Sequence, residues 1–293
     1  MDSVYMVQTL LTGLANGAIY GLVALGFVLL VNAVNIINFA QGEFVMLGAF
    51  LAYTFGAVLS LPFWAAFLLV LASSALIGVL FERTAYRPLR QADGPTYLVA
   101  TMAASVAIRN IAQNIWGSVP FAYDEPFGRR VIALGSYILV PQHLFILGVT
   151  LVLVALLWLF FFHTRLGKLM RAAAQDRDAA RLLGVPVRRI GTYTFMLAGA
   201  TGGMAGILVA PVYFVNLDMG FIMGLKAFVA AIIGGWGSIP GALLGGLLLG
   251  LAEQMGTAYI SSAYKDAFAF LVLIGFLLFL PRGLFGERVA EKA

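Results

Sequence analysis

No cysteine occurs anywhere in the 293 residues, which excludes disulfides, thiolate nucleophiles and thiolate metal sites. Histidine is nearly absent too. His143 and His163 stand at the two ends of one apolar run, neither with a second ligand at metal spacing. Charge is scarce for a chain of this length. Asp, Glu, Lys and Arg make up 11% of the residues, against about 25% in an ordinary soluble domain. Hydrophobic residues make up 62%, and the mean hydropathy is +0.97. A chain so poor in charge cannot clothe itself in hydrated side chains, so most of its exterior faces lipid. No nucleophile with its base, and no pair of acids at one depth, stands out as a membrane enzyme would require.

What is present is a succession of apolar runs, each near the roughly 20 residues that cross about 30 Å of hydrocarbon. They cover 6–31, 36–59, 61–81, 96–116, 141–162, 190–215, 222–236, 239–255 and 267–280. This predicts an all-α polytopic membrane protein of about eight or nine transmembrane helices in one domain, 1–293. The seventh and eighth runs are short and read equally as two spans or a re-entrant hairpin. The first eight residues carry no Lys or Arg and precede no A-x-A site, so they are expected to open a retained span.

The basic residues, which give a net charge of +5, cluster in connections beside the apolar runs and not along a nucleic-acid-binding surface. Arg83, Arg87 and Arg90 lie in one connection. Arg165, Lys168, Arg171, Arg177, Arg181, Arg188 and Arg189 lie in a second, and Arg282, Arg288 and Lys292 in the tail. Two runs separate the first cluster from the second and four separate the second from the third. All three therefore face the same side, the cytoplasm by the positive-inside rule. The N-terminus is then outside, and 117–140 is the main external loop.

Helices in lipid associate through small residues and polar pairs. Gly13, Gly17 and Gly21 form such a face on the first run. Gly199/Gly203 and Gly202/Gly206 do so on the sixth, and Gly241/Gly245 and Gly246/Gly250 on the eighth. They read as packing surfaces or as places where helices slide. Asn35, Asn38, Gln41 and Glu43 crowd the entrance of the second run. A carboxylate in a span normally faces a cavity or a partner, so this stretch reads either as a broken helix lining a polar cavity or as an interfacial cap. Arg109 and Asn110, with Gln113 and Asn114, lie in the outer half of the fourth run. Arg109 is placed to meet a carboxylate, of the protein or of a passing substrate, or to snorkel. Lys226, Glu253, Gln254 and Lys265 are expected near the outer surface as anchors or docking residues.

Between the fifth and sixth runs, Lys168 to Leu183 is rich in helix formers and is stopped by Gly184 and Pro186. A helix of about 24 Å is expected there, too short to span. It lies on the membrane or meets a partner.

Within it, Asp178-Ala-Ala-Arg-Leu-Leu-Gly184 resembles the EAA---G signature with which importer permeases engage their ATPases, with Asp in place of Glu. Asn38-Phe-Ala-Gln-Gly-Glu-Phe-Val-Met-Leu-Gly-Ala49, Gly234-Gly-Trp-Gly-Ser-Ile-Pro-Gly-Ala-Leu-Leu-Gly-Gly246 and Leu280-Pro-Arg-Gly-Leu-Phe-Gly286 resemble segments of the LivH-type branched-chain amino acid permeases. The likeness runs in the same order over nearly the whole chain. One departure is at Ile190, where Gly-Thr-Tyr follows in place of the fuller signature's ending.

The resemblance implies a permease subunit of a bacterial inner-membrane ABC importer for branched-chain amino acids. Other neutral amino acids, urea or short amides are the alternative substrates. It implies a LivM-like second permease, two ATP-binding cassette subunits and a periplasmic binding protein as partners. Arg171, Asp178, Ala179, Ala180 and Gly184 would couple to the ATPases. Asn38, Gln41, Glu43, Arg109 and Asn110 are the candidates for the substrate pathway, and Asp124, Glu125, Arg129 and Arg130 for docking the binding protein. The chain itself lacks a P-loop. Its one Gly-Lys pair, Gly167-Lys168, is followed by Leu169 and preceded by Phe162 where the first Gly belongs. Nucleotide is therefore expected on partner subunits, with no cofactor in this chain. An ion-coupled secondary transporter is the rival reading, resting on Glu43 and the Gly-interrupted runs.

Overall fold

Thirty-two residues without proline or charge, Ser3–Val34, form α1, which is about 48 Å long at 1.5 Å per residue. A computed structural model describes residues 3–89, 94–124, 126, 128, 132–134 and 137–285. In it α1 is the axis of the bundle, with 89% of its most apolar stretch buried, against 22% for Phe63–Leu89 and 6% for Ser262–Phe279. After α1 come α2 (Gln41–Ala52, prolonged by a π-helical turn Tyr53–Val58), α3 (Phe63–Phe81) and, after another π-helical turn, α4 (Arg87–Leu89). Then follow α5 (Gly94–Trp116), a hairpin of β1 (Ile132–Leu134) and β2 (Tyr137–Leu139), and α6 (Pro141–His163). The chain closes with α7 (Arg165–Gln175), α8 (Arg177–Leu182), α9 (Val187–Val209), α10 (Met219–Gly234), α11 (Ile239–Tyr259) and α12 (Lys265–Phe279).

Each of the nine apolar runs falls on a helix. Among the described residues six helices are long and apolar enough to cross a membrane. The other three depart for physical reasons: α2 begins late, α10 is short at 16 residues, and α5 carries Arg109 among amides. The pair α10–α11 is an antiparallel hairpin. It turns through Gly235–Ser238, where Gly235 (φ 101°) and Gly237 (φ 90°) take left-handed conformations that side chains disfavour. The hairpin β1–β2, antiparallel with Ile132 opposite Leu139, lies in the 117–140 connection, which composition had shown only as a loop.

The glycine faces are packing surfaces. A Cβ on Gly17 would come within 2.6 Å of the Gly246 carbonyl oxygen, and one on Gly21 within 3.0 Å of Leu243 Cα, so α1 and α11 touch backbone to backbone. On α9, Gly199 and Gly203 receive Ser74 and Gly78 of α3, while Gly202 and Gly206 receive Phe44, Val45 and Ala49 of α2. The opposite kind of surface is purely apolar. Leu68, Leu76 and Leu80 on α3, Leu151, Val152 and Leu156 on α6, and Leu271, Ile274 and Leu278 on α12 are exposed, as lipid-facing residues are.

The basic clusters share one end. Asn32 Nδ2 donates to the Gly237 carbonyl at 2.6 Å, and the tail docks there through Leu284 N to Ile233 O and Phe285 N to Gly234 O. Glu82, buried beside Arg87 at 3.0 Å, accepts from Thr192 of α9 at 3.2 Å. Arg83, Arg87, the α7–α9 segment and Arg282 therefore lie together, as counting spans required. Arg90, Arg288 and Lys292 lie outside the described residues.

One expectation is corrected. The single helix over Lys168 to Leu183 is two, α7 and α8, broken at Asp176, whose backbone is extended (φ −152°, ψ 108°). Its carboxylate accepts from the backbone N–H of Asp178 and Ala179, both at 2.9 Å. A short Asp side chain thus offers the backbone a cap in place of helix continuation. The predicted stop at Gly184 is present. Gly184 (φ 80°) closes α8 with the paired bonds Gly184 N to Arg181 O and Val185 N to Ala180 O, a Schellman ending.

Candidate functional site

The break between α1 and α2 sets up the site. Asn35, one of two non-glycine residues with positive φ among the described ones, ends α1 at φ 51°, a conformation Asn tolerates. The chain then turns back alongside α1 instead of leaving it. Asn38 Oδ1 accepts from Ala40 N at 3.0 Å and opens α2. Gln41 is already level with Gly26, two turns before the end of α1, and fills the space Gly26 leaves. Its Nε2 donates to the Ala198 carbonyl in mid-α9 at 3.0 Å. So α2 starts about 12 Å inside the basic end. Of the two readings of this stretch, the break in the helix is seen, and Asn38 caps the start of α2 inside the bundle.

From the opposite end, residues 210–218 turn back in the same way. Asn216 Oδ1 accepts from Asp218 N and Met219 N, both at 3.0 Å, and starts α10 below the far end of α9. The two late-starting helices meet. A Cβ on Gly42 would come within 2.9 Å of Gly224 Cα, and one on Gly220 within 2.8 Å of Glu43 Oε2. From that junction α2 runs toward Trp116, whose Nε1 donates to Thr54 Oγ1 at 2.9 Å, and α10 runs toward the basic end.

Against the junction lies one face of α5. Thr101 Oγ1 accepts from Phe39 N at 3.3 Å, and Ser105 Oγ donates to Glu43 Oε1 at 2.8 Å. One turn on, Arg109 Nη1 pairs with Asp218 Oδ1 at 3.2 Å and stands over the Phe221 ring at 5.9 Å. Asn38, Gln41 and Glu43 are buried, and each keeps one polar atom without a hydrogen-bond partner: Asn38 Nδ2, Gln41 Oε1 and Glu43 Oε2. Unsatisfied buried polar atoms are costly and infrequent, and here three lie within six residues. Of the pathway candidates, Asn38, Gln41, Glu43 and Arg109 come together. Asn110 does not, because it points outward and its amide bonds back to Val106 O at 2.8 Å. Ser105 and Asp218 join the cluster without having been singled out. Asp218 had a readable signal, an acid just before an apolar run.

A second ionic cluster overturns an expectation. Lys226 and Glu253 are buried, at 4% and 1% exposure, and are not surface anchors. Lys226 Nζ lies 2.8 Å from Glu253 Oε1 and 2.7 Å from Asp266 Oδ1, and Lys265 Nζ lies 3.4 Å from Glu253 Oε1. Tyr20 donates to Glu253 Oε1 at 3.2 Å, and Tyr213 donates to Asn16 Oδ1 at 3.1 Å. Four helices, α1, α10, α11 and α12, are joined through two cations and two anions. Among the described residues no group of three or more His, Cys, Asp or Glu is placed to hold a metal.

At the basic end α7 lies against α1 and α6 with Gly167, Met170 and Ala173 buried. The Arg171 guanidinium stacks over Phe162 at 4.5 Å. On α8 Ala180 is buried, Asp178 and Ala179 are exposed, and Leu182 and Leu183 stand out at 90% and 85% exposure. At the other end the connection after α5 is pinned by Phe121 and Val215, which exchange backbone hydrogen bonds at 2.9 and 2.8 Å. Asp124 is exposed just beyond. Glu125, Arg129 and Arg130 lie outside the described residues.

Comparison with known proteins agrees with this architecture. Residues 9–277 match the family model described as branched-chain amino acid transport system / permease component. The chain is 34% identical to the high-affinity branched-chain amino acid transport system permease protein LivH of Salmonella typhimurium, over 98% of each chain. It is 35% identical to BraD of Pseudomonas aeruginosa over the full length of both. In fold it is similar to a chain of PsaBC from Streptococcus pneumoniae, with a TM-score of 0.50 at 15% identity over 94% of this chain and 90% of that one. With residues 9–277 covered by the family model and the chain matched from end to end by LivH and BraD, this chain belongs to the branched-chain amino acid transport permease family.

Proposed function

We propose that this chain is one membrane-spanning subunit of an ABC importer that carries branched-chain, hydrophobic neutral amino acids across the inner membrane. The end-to-end likeness to LivH and BraD carries the substrate class. Its working partners are a second permease, two ATP-binding cassette subunits that supply the nucleotide site, and a periplasmic binding protein. The three basic clusters at one end support an N-terminus outside and a C-terminus in the cytoplasm.

In this reading α8 is the coupling element. Leu182 and Leu183 are nearly free of contact with their own chain, and a pair of leucines held rigidly by a glycine-closed helix suits an apolar groove on an ATPase. Asp178, Ala179, Ala180 and Gly184 shape that element. Arg171 anchors the preceding α7 on α6 through Phe162. Movement of the ATPases then reaches α7, and through it α1 and α6. Asn38, Gln41, Glu43 and Arg109 line the pathway, and Asp124, with Glu125, Arg129 and Arg130, faces the binding protein.

Purification of the tagged chain from membranes tests this. An ATPase subunit is expected to co-elute with the wild type and to be lost from the double variant Leu182→Glu/Leu183→Glu. A chain that elutes alone in both cases overturns the reading. The absence of cysteine makes orientation equally accessible. A membrane-impermeant maleimide added to intact cells is expected to label Ser261→Cys and to leave Leu182→Cys unmodified until the membrane is opened.

A further inference from the structure

The two ionic clusters differ in their charge. The Lys226, Lys265, Glu253, Asp266 group balances two cations with two anions. The group at the α2–α10 junction does not. Arg109 pairs with Asp218 at 3.2 Å, while Glu43 accepts from Ser105 and has no ion pair among the described residues, leaving its carboxylate uncompensated in a setting where unpaired charge is expensive. Placing Glu43 in the first turn of α2 offsets part of that charge through the helix dipole. The offset is incomplete, because Glu43 is 1% exposed and its Oε2 has no partner. That oxygen is aimed at Gly220 in the first turn of α10, where any side chain would press on it. On the first turn of α10 Asp218, Phe221 and Ile222 are exposed, with Phe221 at 58%.

We propose that Glu43, Arg109 and Asp218 form a site for the zwitterionic head of an α-amino acid. The inference rests on the amino acid permease reading above. The ammonium group sits between Glu43 Oε2 and the Asp218 carboxylate. The substrate carboxylate takes the guanidinium of Arg109, whose planar fork suits it. The aliphatic side chain lies on Phe221 and Ile222. An α-ammonium group supplies the cation that Glu43 lacks, and the α-carboxylate shares the Arg109 guanidinium with Asp218.

The test uses the chain assembled with its partner subunits in liposomes, with radiolabelled leucine as the probe and co-elution of the subunits as the check on folding. Glu43→Gln and Asp218→Asn are each expected to lower ATP-driven leucine uptake about tenfold to a hundredfold, the usual consequence of losing a hydrogen bond to a charged group. Glu43→Asp should recover part of the loss, and Arg109→Lys should be milder than Arg109→Gln. Equilibrium binding to the complex without its binding protein gives a second readout. Arg109→Gln should let leucinamide compete as well as leucine does, and Glu43→Gln should do the same for the 2-oxo acid. Should Glu43→Gln fail to assemble, Asp218→Asn decides alone, since Asp218 is largely exposed and remote from the core packing. Wild-type uptake in Asp218→Asn together with unchanged competition overturns the site and leaves the permease reading intact. A wild-type complex that moves no leucine overturns the permease reading itself. Uptake in Glu43→Gln that loses a dependence on sodium, with the amino acid competition unchanged, assigns the carboxylate to a metal cation and overturns the proposal.

Discussion

Glu253→Leu is expected to abolish recovery of folded protein, while Lys226→Met/Glu253→Leu together restores most of it. The single change leaves the Lys226 ammonium, 4% exposed, with Asp266 as its remaining carboxylate and strips Tyr20 of its acceptor. Removing one partner of a buried pair costs about 3–5 kcal/mol, a large share of the roughly 5–15 kcal/mol that holds a domain together. Replacing both by apolar side chains of similar volume removes the unpaired charge and is close to neutral. Monodisperse yield after detergent extraction, followed through a thermal ramp, measures it. Equal loss in the single and double variants would mean that the cluster acts in more than pairing. The double variant bears on function as well, because the cluster ties α10, and hence Asp218 and Gly220, to α11 and α12.

Gly246→Leu is expected to be as damaging, for a different reason. Gly246 lies against Gly17 and Gly21, with Gly21 Cα 2.6 Å from where its Cβ would stand. The atoms in the way are backbone, which cannot turn aside as a side chain can. Even Gly246→Ala should force α1 and α11 apart and cost about 1–3 kcal/mol, and leucine should prevent their docking. The control lies in the same chain. Gly148 and Gly275 have nothing within 4 Å of their would-be Cβ atoms, so Gly148→Ala and Gly275→Ala should be neutral or stabilise by up to about 1 kcal/mol through helix propensity. Heat stability of the four variants side by side separates close packing from mere glycine content.

What could be read beforehand followed from one-dimensional properties. Apolar run length located nine helices, and counting Lys and Arg between runs put the clusters at 83, 165–189 and 282 on one side, where the structure also gathers them. The glycine spacings named the faces that touch. Asn38, Gln41 and Glu43 marked the stretch as either a broken helix or an interfacial cap, and the start of α2 level with mid-α9 became visible only in the structure. Pairing across helices was not legible. Lys226 and Asp266 are 40 positions apart, and their meeting depends on the rotation of α10 and α12, which periodicity leaves open when nearly every position is apolar. The same holds for Arg109 with Asp218, and for Asn110, which one residue's turn sends to the opposite face. Asp176 hid its role for a local reason. An Asp amid helix formers reads as a tolerated surface residue until its backbone is seen to be extended and capping α8.

The burial of α1 has a consequence for how the protein is made. This helix leaves the ribosome well before its packing partner α11, which begins only at Ile239, roughly 200 residues later. At about 5–20 residues per second that is a wait on the order of 10–40 s. During that time Asn16, Tyr20 and Asn32 lack Tyr213, Glu253 and Gly237, their eventual partners. Lipid offers those groups nothing, and the glycine face exposes backbone. The nascent α1 must therefore be sheltered beside the translocation machinery until the last third of the chain arrives. Chains that terminate before α11 leave the glycine face of α1 uncovered.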